Sequence, residues 1–203
     1  DNGTDEYNDA SIEIKNFVAT EDDKKTETSD EVPEYLSTYV APTELGTDPL
    51  SYNIEIENQV YTLPAPVSVF TDNGWKIASQ EDSVPSGRSL SSAIKLQKDG
   101  KEIEASVTNF ADYQTKPENC AISYLYFYAD ESKNPEVKLP GGITIKSTSE
   151  DVKKWAGDKF DYSKSGDSEY YDYYDDDNEG YIDINCKKTV SSMSVKKETW
   201  PSK

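Results

Sequence analysis

Residues Leu139–Phe160 read LPGGITIKSTSEDVKKWAGDKF, and the rest of the chain is easiest to interpret outward from them. Ile143, Thr144 and Ile145 form a short β-branched run that predicts a strand. Thr148, with Asp151 three residues on, is a helix start signal, because hydroxyl and carboxylate can each satisfy a first-turn N–H. Val152 and Trp155 then share one helical face, and Gly157 stands where a left-handed C-terminal cap belongs. The predicted helix, Ser149 to Ala156, is too short to persist by propensity and must lie on a sheet.

Upstream, Tyr52, Ile54 and Ile56 alternate with polar residues and predict a strand over Ser51–Glu57. Asn58-Gln59 reads as a turn into a second strand from Val60 to Leu63. Pro64 and Pro66 end that strand and open a helix over Val67–Asp72, with Val67 and Phe70 inward and Gly74 as its stop. Strands over Ser92–Gln97 and Ile103–Val107 flank Lys98-Asp99-Gly100-Lys101, a hairpin signal. Ala121–Tyr128 (AISYLYFY) is apolar on both faces and reads as a central strand. One of its rows holds Tyr124, Tyr126 and Tyr128, which need cover or water at their hydroxyls. A second hairpin joins Glu169–Asp175 to Tyr181–Cys186, and Val190–Lys196 supplies a last strand.

The order of elements repeats: Leu139-Pro140 echoes Leu63-Pro64, Gly157 echoes Gly74, and Gly180 echoes Gly100. The expectation is an α+β fold of two tandem modules, each a short helix packed on a small antiparallel sheet. Their boundaries are an acidic tail or tether at 1–45, a first module at 46–131 and a second at 132–203. Within Asp1–Tyr35 there are twelve acidic and three basic residues, too polar a composition to offset its ordering entropy by burial. Ser11-Ile12-Glu13-Ile14 is the one strand-like run inside it.

The net charge of −19 argues against nucleic acid and anionic lipid as partners, since both select a basic face. The absence of histidine removes the commonest catalytic base and metal ligand together, so no metal or cofactor is expected. An acidic loop, Asp175, Asp177, Glu179, Gly180 and Asp183, matches several positions of a calcium loop. Its twelfth position, which should be a bidentate glutamate, is Cys186. Cys120 and Cys186 leave a disulfide or two buried thiols open; the inward register of Cys186 beside Ile182 and Ile184 favours thiols. No paired-carboxylate cleft, serine triad or phosphate loop is legible, so no catalytic residue is assigned.

The Gly142-Ile-Thr-Ile145 run, Thr148–Val152, Trp155, Gly157, the tyrosine-rich strand, its turn glycine and the closing strand resemble a known repeat. That repeat belongs to β-lactamase-inhibitor-protein-like and barrel-assembly small-lipoprotein domains, and the likeness covers about Leu139–Lys197. With Tyr61-Thr-Leu-Pro64 and Asp72-Asn-Gly-Trp75 added, Ser51–Lys197 is similar to a group of surface lipoproteins of Gram-positive gut anaerobes. The chain departs from the repeat at Lys146, where glycine is usual before the helix. The resemblance implies a protein-binding or scaffolding role outside the membrane and brings no catalytic residues with it.

The candidate binding residues are therefore aromatic. Tyr170, Tyr171, Tyr173 and Tyr174 interleave with acids, Tyr124 and Tyr126 line the central strand, and Trp200 stands beside Pro201. The expected function is an exported, membrane-anchored, non-enzymatic binding or scaffold protein at the cell surface, with an open aromatic–acidic sheet face. Its partner would be a protein or a glycan, and it would touch a membrane only through an N-terminal anchor outside this chain. A carbohydrate-binding surface protein and an inhibitor of a secreted enzyme are the alternatives.

Overall fold

The computed structural model describes residues 27–85, 91–176 and 178–201. The expected strand at 11–14 lies outside them. The first two strands, β1 (Asn53–Ile56) and β2 (Gln59–Thr62), pair through a turn at Glu57 and Asn58, both at positive φ. After the two-residue β3 (Ala65–Pro66), Val67–Asp72 forms helix α1 as expected, burying Val67 and Phe70. A four-strand meander follows: β4 (Lys76–Gln80), β5 (Ser91–Lys98), β6 (Lys101–Thr108) and β7 (Ala121–Tyr128). Then come β8 (Val137–Lys138), helix α2 (Ser149–Ala156) and a second meander. Its strands are β9 (Asp161–Ser165), β10 (Ser168–Tyr174), β11 (Gly180–Cys186) and β12 (Val190–Lys197).

The tandem α+β architecture is corrected at this level. The chain is mostly β: twelve strands make a nine-stranded and a three-stranded sheet, and only two short α-helices occur among the described residues. In the large sheet the order is β4-β5-β6-β7-β12-β11-β10-β9, with β3 also on β7. The two meanders meet at their last strands, where β12 runs antiparallel to β7 from Ser192↔Tyr128 to Lys196↔Tyr124. The physical reason is the central strand. β7 is apolar toward the core, and pairing it with β12 satisfies its backbone while joining both inner faces into one core. Neither helix has a sheet of its own. One buried cluster runs from Phe70 of α1 through Leu96, Leu125, Met193 and Ile184 to Val152 of α2. The small sheet, ordered β2-β1-β8, adds Ile54, Ile56, Tyr61 and Val137 to it. Tyr61 stacks on Phe70 with centroids 4.0 Å apart and planes 7° from parallel.

Around Leu139–Phe160 the local reading holds at the helix and fails just before it. Thr148 Oγ1 accepts from Asp151 N at 3.1 Å, and the Asp151 carboxylate accepts from Thr148 N at 2.9 Å, a complete capping box. Gly157 has φ +55° at the C-terminus. Ile143–Ile145, by contrast, forms no strand. Pro140–Gly142 makes a 3₁₀ turn with Gly141 at φ +75°, and Ile143 only bridges back to Leu139. The turn is held by Trp155, whose Nε1 donates to Pro140 O at 2.7 Å and whose ring sits 3.1 Å from where a Gly141 Cβ would be. Both cysteines are free and buried.

Part of the expected tail lies on the body. Ser29 N donates to Gln114 O at 2.9 Å, and Thr115 Oγ1 donates to Ser29 O at 3.0 Å. Glu34–Thr38 forms a 3₁₀ turn, and from it Tyr35 packs edge-on against Trp200 and Phe110.

Candidate functional site

Alternation in the sheet separates a covered face from an open one. On β11, Ile182, Ile184 and Cys186 are buried while Tyr181, Asp183 and Asn185 point to the other side at intermediate exposure. The register carries that outer row across the sheet: Asp183 faces Ser194 on β12 and Asp172 on β10, and Ser194 faces Tyr126 on β7. Both helices and the small sheet lie within the buried cluster on the covered side.

Five tyrosines run across this open face in ring-to-ring contact. Tyr128 meets Tyr126 at 4.4 Å between centroids, Tyr126 meets Tyr124 at 6.3 Å, Tyr124 meets Tyr181 at 6.0 Å, and Tyr181 meets Tyr174 at 5.7 Å. The Tyr126–Tyr128 contact is edge-to-face, an arrangement ring quadrupoles favour, and the other three are tilted. The ends of the ladder are the most exposed, Tyr128 at 49% and Tyr174 at 57%. Its middle closes over β12, leaving Ser192 and Ser194 buried beneath the rings. Burial, outweighing a hydrogen bond with Ser192, pushes the Tyr126 hydroxyl up to about 12. Burial, followed by Tyr124, likewise raises Tyr181. These hydroxyls stay protonated and serve as neutral hydrogen-bonding groups. Between the ladder and β5–β6 lies a shallow hollow of about 360 Å³, lined by Ala93, Glu104 and Ser106 with Tyr124, Tyr126 and Tyr128.

A second row crosses the face beside the ladder. Asp161, Asp172 and Asp183 are successive cross-strand partners on β9, β10 and β11. Like charges directly opposite one another are unfavourable. Burial first, and then the hydrogen bond and charge of Asp172, push the Asp183 carboxyl up to about 7. Asn185 Nδ2 donates to Asp183 Oδ1 at 3.0 Å. No lysine forms an ion pair with the row among the described residues. Elsewhere in the large sheet, Lys196 pairs with Glu198 at 2.6 Å and Lys95 with Glu104 at 3.1 Å.

The structure sorts the candidate residues by side. Tyr124, Tyr126, Tyr170 and Tyr174 stand on the open face, the first two and Tyr174 within the ladder. Tyr171 and Tyr173 pair with Ile184 and Ile182 and face the core; Tyr171 is 2% exposed and Tyr173 packs on Phe160. Trp200 is away from the ladder. It clasps Tyr35, Tyr39 and Phe110, and its Nε1 donates to Thr38 Oγ1 at 3.0 Å. Tyr181, Tyr128 and the aspartate row join the site although they were not among the candidate binding residues. Their signal was the alternation of Tyr181-Asp183-Asn185 against Ile182 and Ile184, which assigns them to the side opposite the core.

The loop that matched a calcium pattern is otherwise occupied. Asp175 Oδ1 accepts from Glu179 N and Gly180 N at 2.9 and 3.0 Å, while Oδ2 takes Lys197 Nζ at 2.5 Å and Tyr52 Oη at 3.3 Å. Burial alone would raise this carboxyl, but Lys197 and the Gly180 N–H outweigh it and hold it below the usual range. Asp177 lies outside the described residues. Among those described, no three acidic or sulfur ligands gather as a metal site, and no helix is long and apolar enough to cross a membrane. Comparison of the chain with family models, with curated proteins and with solved structures gave no match.

Proposed function

We propose that this is a non-enzymatic binding or scaffold protein whose open tyrosine–aspartate sheet face docks a macromolecular partner. The observation that carries the reading is the five-ring ladder, with exposed ends, on the face opposite the buried cluster. Rigid tyrosines give large contact area at low conformational cost, which suits recognition better than turnover. The carboxylates favour binding too. Asp172 and Asp183 are close enough to hydrogen-bond each other, which leaves no space for a sugar ring between them as glycoside hydrolysis needs. The acidic Ser/Thr-containing leader and the sequence resemblance over Leu139–Lys197 support placing the protein outside the cell, tethered by an anchor beyond this chain.

The test is capture from envelope extracts with the wild-type chain and with Tyr128→Ala/Tyr174→Ala, whose exposed rings can be removed without opening the core. Partner capture should fall sharply in the double variant. Undiminished capture would refute use of this face.

A further inference from the structure

We infer that the occupant of the open face is a basic, lysine- or arginine-bearing polypeptide segment, bound with its cations along the Asp161–Asp172–Asp183 row and its aliphatic stems on the tyrosine ladder. This rests on the proposed use of that face. Three observations converge on the chemistry. The row places three carboxylates on adjacent strands, and no ion pair neutralises it among the described residues. Native contacts rarely leave such a line of like charge, because each cross-strand pair costs stability. A cationic ligand would reverse that cost on binding.

A ring of the ladder already takes an ammonium group within the protein: Lys196 Nζ lies 5.8 Å from the Tyr181 ring centroid. A tyrosine face next to a carboxylate is the setting in which a lysine or arginine gains from both cation–π and charge-assisted hydrogen bonding. Finally, the net charge of −19 steers basic chains toward the protein from any side, while the ladder gives one side the contact area to retain them. An acidic or nucleic-acid partner would meet the same row as repulsion.

The experiment titrates isotope-labelled protein with an oligolysine peptide and with a neutral oligosaccharide, following tyrosine ring resonances at low salt. Asp161→Asn/Asp172→Asn removes charge from the row. Glu150→Gln/Asp158→Asn removes the same charge from exposed positions on and just beyond α2. Oligolysine should shift the Tyr174 and Tyr181 rings and lose about fivefold or more in affinity in the row variant, with the α2-side variant unchanged.

Affinity should also rise from pH 5 to pH 8 as Asp183 ionises. The groups around that carboxyl are Asp172 on β10, Tyr181 and Asn185 on β11 and Ser194 on β12, none of them cationic. Equal losses in both variants would overturn the inference in favour of diffuse attraction. Ring shifts with the oligosaccharide but not oligolysine would overturn the basic occupant while leaving the face in use. Silence of the rings toward both, together with undiminished capture by Tyr128→Ala/Tyr174→Ala, would remove the face reading itself.

Discussion

Replacing Asp183 by asparagine should stabilise the protein at pH 8 and leave it nearly unchanged at pH 4. The folded carboxyl titrates near 7 against an ordinary 3.8, so between those values the native state holds a proton that the unfolded chain releases. Stability therefore falls as pH rises through that window, and the full penalty is present above it. At about 1.36 kcal/mol per pH unit the gap sets an upper bound near 4 kcal/mol. Asp183 keeps some solvent contact, and screening reduces the expected effect to about 1–2 kcal/mol. Asparagine cannot ionise, can still accept from Asn185, and can donate to Asp172, so it removes the charge while keeping the shape. Urea unfolding at the two pH values reads the difference directly. With a slope of about 2 kcal/mol/M the variant's midpoint should rise by about 0.5–1 M at pH 8. An equal shift at both pH values, or a wild type that gains stability from pH 4 to pH 7 relative to the variant, would refute the shared-proton account.

Thr148→Ala should cost about 1 kcal/mol in thermal or urea unfolding, because it removes one half of the α2 capping box. Gly180→Ala should destabilise by about 2 kcal/mol, since a Cβ there would lie 2.6 Å from Asp175 Oδ2 and against the Tyr52 hydroxyl. Trp200→Ala should lower stability by about 2 kcal/mol and speed proteolysis near Tyr35, whose ring it holds at 4.8 Å. Both thiols should resist a disulfide-exchange reagent at pH 8 in the native protein and react in guanidinium. Burial pushes Cys120 up to about 12 and Cys186 up to about 11, so the nucleophilic thiolate is scarce as well as inaccessible.

Local chemistry was readable where one element decides its own form. The capping box fixed α2, the diproline context opened α1, the Asp99-Gly100 turn closed β5 on β6, and β7 begins and ends where its apolar run does. What could not be read was which strand edges meet. The alternation of β12 and the apolar row of β7 each demand a neighbour, but no spacing says that they demand one another; two separate small sheets satisfied the same patterns. Ile143–Ile145 failed for a related reason. Its β-branched residues have propensity for strand, yet Gly141 and the Trp155 hydrogen bond to Pro140 bend the chain there first. The open face was half legible: Tyr170 and Tyr174 separate from Tyr171 and Tyr173 by simple alternation. The Tyr124–Tyr181 contact exists only because the meanders join, while the aspartate row depends on strand register within the second meander.

That junction also sets the timetable of assembly. Chain order places β12 last among the twelve strands, but it lodges in the middle of the large sheet. Until Val190–Lys197 has been synthesised, the strands at either side of its slot, β7 and β11, wait with bare backbone toward each other. The ladder's two ends likewise stay apart. The nascent molecule is thus two unfinished halves whose sticky rims fit any similar strand, including the one from a neighbouring copy. Expression at high concentration should accordingly favour exchange of β12 between chains, the fold's own most natural error.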